Sequence, residues 1–211
     1  MQIDDDAYLV SLSGGLDSTT ALYKILTETD KRVHVHHVRY ITKQNRHDRE
    51  AQAVSQIVPH LRQTVRDFDF SQSIQDYSGV GHGTPHDLHM YSFALSQVVR
   101  LLHPQRFIAV VTGLVSSDIT PEWRERRKVA NALFDAAFAD YATPAPQWLF
   151  PCVEMTKAEE ISLIGPYLYN LTWSCRRPIQ IGEAYAACGR CKTCLETAAA
   201  ERIAFGGVRH G

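Results

Sequence analysis

Short apolar runs recur along the chain, separated by longer stretches of mixed polarity. Tyr8–Leu12, Val33–Val38 and Phe107–Thr112 are rich in Val, Leu, Ile or aromatic residues and short enough for strands buried on both faces. Thr64–Phe68 is a further strand candidate, and Trp148–Val153 a weaker one. Between them, Ser18–Glu28, Arg46–Pro59, Leu88–His103 and Glu122–Tyr141 read as helices. In Leu88–His103, residues Phe93, Leu95, Val98, Val99, Leu101 and Leu102 make a broad apolar surface suited to packing on a sheet. Strand alternating with helix predicts β-α-β units with right-handed crossovers. The expected class is α/β, with a mostly parallel sheet of about five strands and helices on both faces.

The alternation stops near residue 166. The pattern therefore predicts two parts: an α/β domain over 1–166 and a small Cys-bearing appendage over 167–211, ending in a short helix, Lys192–Ala204. Tyr77–His86, with three glycines and a proline, and Ala142–Gln147, with Pro144 and Pro146, read as loops. The 211 residues suffice for one domain with a sizeable core. A net charge of −1 gives no overall bias toward nucleic acid or membrane. No apolar run is long enough to span a bilayer, and Asp4-Asp5-Asp6 is unlike a signal peptide, so a cytoplasmic location is expected.

The most informative chemistry lies where the first strand ends. Ser11-Leu12-Ser13-Gly14-Gly15-Leu16-Asp17-Ser18-Thr19 runs from the strand into a helix. Such a turn leaves backbone N–H groups unpaired at a helix start, where the dipole favours an anion. Two glycines let a phosphate approach the main chain. Ser13 and Ser18 can add hydroxyl donors, and Asp17 is placed to hold a Mg²⁺ that offsets phosphate charge. The Gly-Lys-Ser/Thr ending of common NTPase loops is absent, and so is the third glycine of the dinucleotide fingerprint.

Cys175, Cys188, Cys191 and Cys194 form the second cluster, spaced C-x12-C-x2-C-x2-C. Two overlapping C-x-x-C pairs and an odd total of five cysteines suit a metal site better than a disulfide framework. Four thiolates can complete a tetrahedral Zn²⁺ site of structural kind, the expected occupant, and an iron–sulfur cluster is also compatible with four cysteines. Cys152 stands apart and reads as a core thiol.

Ser13-Gly14-Gly15-Leu16-Asp17-Ser18 resembles the pyrophosphate loop (PP-loop) of the ATP pyrophosphatases, whose fold is Rossmann-like, of the adenine nucleotide α-hydrolase type. With the C-terminal cysteines, the chain resembles the 7-cyano-7-deazaguanine synthase family. His36–Tyr40 looks like that family's second strand, Thr112-Gly113 like a nucleotide-contacting turn, Lys157-Ala158-Glu159 like a helix start, and Leu171-Thr172 with Cys175 like the approach to its zinc site. The resemblance implies ATP as co-substrate bound by Ser11–Gly15, Asp17–Thr19, Thr112 and Gly113, with Mg²⁺, structural zinc, and catalytic parts for Asp17 and Lys157. It also implies a homodimer.

The implied reaction adenylates the carboxylate of a deazapurine and converts it with ammonia to an amide and then a nitrile. Departures fall in the substrate segments. Ser116–Arg124 replaces the family's Asp-x-x-x-Tyr-Pro-Asp-Cys-Arg-like segment, leaving Asp118, Glu122 and Arg124 as substrate-binding candidates, and Thr84–His89 replaces a Pro-Gly-Arg-Asn-Leu block, leaving His86. Two alternatives follow: a relative that adenylates another acceptor, such as a tRNA base or a protein target in antiviral defence, and a non-catalytic nucleotide-binding module. His34, His36 and His37 read as strand histidines. His82, His86 and His89 crowd the glycine-rich loop. The basic run Arg124, Arg126, Arg127 and Lys128 reads as a solvated helix face, and no interleaved aromatics mark it as a nucleic-acid stripe.

Overall fold

The computed structural model describes residues 6–80, 86–102, 106–140, 144–182 and 184–206. Five strands, β1 (Asp6–Ser11), β2 (Arg32–Ile41), β3 (Asp69–Asp76), β4 (Arg106–Val111) and β5 (Gln147–Leu149), pair in parallel in the order β3-β2-β1-β4-β5. The expected α/β architecture is present. Alternate residues of the central strands enter two separate cores. Val10, Leu12, Val33, Val35 and Val111 face one way, against Leu22 and Ile25 of α1 (Leu16–Glu28), Val54 and Ile57 of α2 (His47–Thr64) and Ile161 of α5 (Lys157–Leu171). Ala7, Leu9, Phe107 and Val110 face the other way, against Leu95 and Val98 of α3 (Asp87–Leu101) and Phe134 of α4 (Pro121–Ala136). Both faces are therefore covered, as apolar-on-both-sides strands require.

The chain leaves β1 first toward β2 and β3 and later returns to its other side for β4 and β5. That reversal makes the carboxyl ends of β1 and β4 the switch point of the sheet, the usual ligand position in open parallel sheets. The Ser13–Ser18 segment lies at the end of β1, so the topology puts it there.

Several boundaries differ from the sequence reading. Thr64–Phe68 is not a strand: α2 continues through Thr64, with Pro59 on its exposed side. Phe68 is a core plug whose carbonyl accepts both Nε and Nη2 of Arg62, at 3.2 and 2.6 Å. The real third strand, Asp69–Asp76, is an edge strand of alternating polarity, which a search for apolar runs passes over. β5 stops at Leu149, since a turn with Val153 N donating to Phe150 O folds the following residues away. α4 ends at Ala136, and the expected helix ends His103 and Tyr141 lie outside the described residues, as does His82.

α5 starts on a capping box, with Thr156 and Glu159 exchanging hydrogen bonds. It bends where Gly165, at φ +73°, precedes Pro166, and runs on to Leu171. Beyond it come a hairpin of β6 (Ile179–Ile181) and β7 (Ala184–Ala186) and α6 (Lys192–Ala204), which packs on α5. Tyr169 Oη donates to Glu201 across that seam at 2.6 Å. Among the described residues, no helix is long and apolar enough to cross a membrane.

Candidate functional site

Ser11 ends β1, and Leu12, buried, donates its N–H to His36 O and accepts Nδ1–H of His37 on its carbonyl at 2.8 Å. The chain then turns sharply. Gly14 adopts φ +81°, and a Cβ there would lie 2.8 Å from Glu50 O on α2, so only glycine fits. Gly15 is the N-cap of α1 and offers no side chain to the first-turn N–H groups, which lack intrahelical acceptors. Thr19 is fully buried, and its Oγ1 and N both bond Gly15 O. At the end of the neighbouring strand, Thr112 follows β4 with its N–H on Leu149 O. A Cβ on Gly113 would overlap the Asp17 carbonyl and the Ser18 nitrogen, so this glycine is required for α1 to seat against the end of β4.

Asp17 and Lys157 meet although 140 residues separate them. Lys157 Nζ donates to Asp17 Oδ1 at 2.7 Å, with the lysine side chain 9% exposed and the aspartate 30%. Burial alone would lower the lysine pKa, but the charge and hydrogen bond of Asp17 outweigh it and hold the ammonium charged. Asp118 sits in a short 3-10 turn, Ser116–Asp118, and burial raises its carboxyl above the usual range against the pull of Lys157. Behind them Glu160 is fully buried against Asp17 and Cys152. Burial, reinforced by the charge of Asp17, pushes its pKa far upward. The sequence reading missed Glu160. The available signal was its i+3 spacing from Lys157, which puts both on one helix face.

The four cysteines of the appendage converge, with their Sγ atoms all within 4.8 Å of one another. Cys188 N donates to Cys175 Sγ, Cys191 N to Cys188 Sγ and Cys194 N to Cys191 Sγ at 3.3–3.4 Å, the kind of bonding that supports thiolate ligands. A single tetrahedral ion with bonds of about 2.3 Å needs sulfurs roughly 3.8 Å apart, and Cys188 and Cys194 are 3.9 Å apart. The donor set fits a metal. Cys152, by contrast, is buried away from this cluster, and burial beside Glu160 pushes its thiol up to about 12.

The appendage reaches the loop directly. Trp173 N donates to Gly14 O at 2.7 Å, and Leu16 N donates to Ser174 Oγ at 3.3 Å. The Arg49 guanidinium stacks 4.7 Å from the Trp173 ring centre. A second polar chain ties the appendage to two helix starts: Arg46, the N-cap of α2, pairs with Asp87 and with Glu50, and Arg176 pairs with the same Asp87 at 3.2 Å. His86 is the N-cap of α3 and lies ring to ring with His89 at 5.0 Å. Glu122 and Arg124 are exposed on the first turns of α4, lining a shallow depression with Pro121 and Glu125.

Two expectations for polar residues changed, those for Arg127 and the loop serines, and the one for the strand histidines held. Arg127 is not solvated. It is buried between Trp148 and Phe150, 4.2 and 4.8 Å from their ring centres. His34 and His36 share Ser71 Oγ at 2.6 and 2.8 Å, a satisfied polar chain between β2 and β3 that burial keeps neutral. The loop serines bond chiefly to the loop itself, Ser13 Oγ lying 3.0 Å from Ser18 Oγ.

Residues 7–84, from β1 past β3 and including the glycine loop, match the family model described as "Queuosine biosynthesis protein QueC". No curated protein matches the sequence. Among solved structures, the chain is similar to the U34-tRNA thiolase NcsA from Methanococcus maripaludis, solved with its 4Fe–4S cluster. The likeness has a TM-score of 0.50 at 13% identity over 96% of this chain and 70% of that one, and it shows a shared fold.

Proposed function

We propose, from a chain that resembles QueC and carries a PP-loop, that this protein is an ATP-using enzyme that adenylates a carboxylate. The observation that carries the reading is the Gly14–Ser18 turn at the β1/β4 switch point with the Lys157–Asp17 pair beside it. The best-supported acceptor is 7-carboxy-7-deazaguanine. Its carboxylate oxygen attacks the α-phosphorus of ATP, and the bond to pyrophosphate breaks. Ammonia displaces AMP to give the amide. The amide oxygen then attacks a second ATP, and AMP leaves carrying that oxygen while nitrogen loses two protons, which yields the nitrile.

First-turn N–H groups of α1 and the Lys157 ammonium are suited to stabilise charge on the departing pyrophosphate. Asp17 holds Lys157 charged and oriented and offers a carboxylate for Mg²⁺, which supplies charge neutralisation when bound. The close Sγ spacing favours one Zn²⁺ held by Cys175, Cys188, Cys191 and Cys194. Elemental analysis showing one zinc per chain supports this, and iron at several atoms per chain overturns it.

The test is AMP formation with 7-carboxy-7-deazaguanine, ammonia, ATP and Mg²⁺, with mass spectrometry of the product. A nitrile supports the reading, whereas ATP binding without AMP formation supports the non-catalytic module. A second reading, adenylation of a larger acceptor such as a base in tRNA, is favoured by the open setting of Glu122 and Arg124, which line a surface depression rather than an enclosed pocket. AMP formation only with tRNA would select it. Since Cys152 is buried with a raised thiol pKa, Cys152→Ser is expected to keep turnover, and its loss would favour sulfur transfer.

A further inference from the structure

Hydrogen-bond accounting separates the hydroxyls of the loop from one that lies beside it. Ser18 Oγ accepts from Ser13 N at 3.1 Å and donates to Gly15 O at 3.2 Å. The 3.0 Å contact between the two serines then takes the Ser13 hydrogen, and Thr19 Oγ1 gives its own to Gly15 O at 2.8 Å. Each hydroxyl has one hydrogen to give. All three on the loop are spent holding its shape.

Ser174 differs. Its Oγ accepts the Leu16 N–H at 3.3 Å, and no acceptor for its own hydrogen stands among the described residues. A Cβ on Gly15 would come within 3.9 Å of that Oγ and 3.5 Å of Trp173 O, so Ser174 borders the glycine turn itself. Three contacts fix it there: Trp173 N on Gly14 O, Trp173 Nε1 on Cys175 O at 3.1 Å, and the Arg49 guanidinium over the Trp173 ring. The next residue, Cys175, is buried in the cysteine cluster.

We propose that Ser174 is a phosphate-binding residue of the nucleotide site, its hydroxyl donating to the anion held at the N-terminus of α1. The cysteine-bearing appendage thereby supplies a hydroxyl donor that the loop's own side chains do not. The proposal rests on the nucleotide-binding reading above. It gives the cysteines a second consequence, since whatever holds Cys175 also holds this hydroxyl in place.

The test compares the full chain with Ser174→Ala and Ser174→Thr, measuring calorimetric affinity for inorganic pyrophosphate, ATP and adenosine. A hydrogen bond to a charged group predicts that Ser174→Ala weakens pyrophosphate and ATP about tenfold or more and leaves adenosine unchanged. Ser174→Thr restores phosphate affinity to within about threefold. Equal affinity of Ser174→Ala for ATP, an equal loss for adenosine, or failure of Thr to rescue each overturns the proposal. An unsubstituted chain that binds neither ATP nor pyrophosphate brings down the nucleotide reading itself. Binding that is intact in both the unsubstituted chain and Ser174→Ala removes only Ser174.

Discussion

The glycine turn and the cysteine appendage are the two special regions of this molecule, and they are held by opposite means. Residues 13–19 take their shape from hydrogen bonds that span two to five positions, resting on buried sheet and helix. From residue 172 onward, only Cys175 and Ala200 are buried among the described residues, too little to organise a chain segment by apolar burial alone. There the order comes from four converging sulfurs and from polar ties to the main domain. The first region is stabilised by what lies next to it in sequence and the second by what it ligates. They meet at Trp173 and Ser174, where the loosely packed region touches the tightly built one.

Four measurements press on that contrast. The largest effect belongs to Asp17→Ala, which frees Lys157 beside the loop. Pyrophosphate release should fall by about two orders of magnitude or more, with the melting temperature little changed, because the aspartate is partly exposed. Retained turnover would show that the pair has no part in the chemistry.

Gly113→Ala comes next and acts on the rigid region. With the new Cβ placed inside the backbone of Asp17 and Ser18, neither partner being a flexible side chain, the expected cost is about 1–3 kcal/mol, read as a lowered urea midpoint. An unchanged midpoint would mean that the seam between β4 and α1 is looser than its geometry indicates.

The appendage should respond to a different insult. Treatment with a metal chelator, or Cys188→Ser, is expected to open the cysteine segment to limited proteolysis while the strands and helices from β1 to α5 stay resistant. Simultaneous cleavage of both regions would mean that they fold as one unit.

The smallest effect concerns Glu160. Its folded pKa lies above the usual carboxylate value, so the folded state binds the extra proton across that window and stability falls as pH rises. Glu160→Gln cannot ionise. The decline in melting temperature from about pH 6 to about pH 9 should therefore flatten in the variant, as scanning calorimetry would show. An identical slope would place the buried charge elsewhere, with Glu50, pushed by burial up to about 7, the next group to test.

Much of the scaffold could be read before any coordinates were known. Strands with apolar residues on both faces declare themselves by composition, which is why β1 and β4 are placed within two residues and β2 falls three residues short only at its end. β3 escaped because an edge strand has one partner and tolerates Ser, Gln and Asp at alternate positions. The glycine turn was legible because its conformational demand is local, and φ +81° at Gly14 needs a residue without Cβ wherever the rest of the chain goes. The cysteine spacing was legible for a related reason, since three of the four ligands lie within seven residues.

What the sequence by itself determined, then, was the order of elements and the two short motifs, because each depends on residues a few positions apart. Tertiary structure alone decided which hydroxyl beside the loop keeps a hydrogen to give, that Lys157 reaches Asp17, that Glu160 is sealed from water and that Arg127 lies between aromatic rings. Those facts join positions as far as 158 residues apart. They follow from how helices seat on a sheet, and side-chain burial and hydrogen-bond competition exist only once that packing is in place.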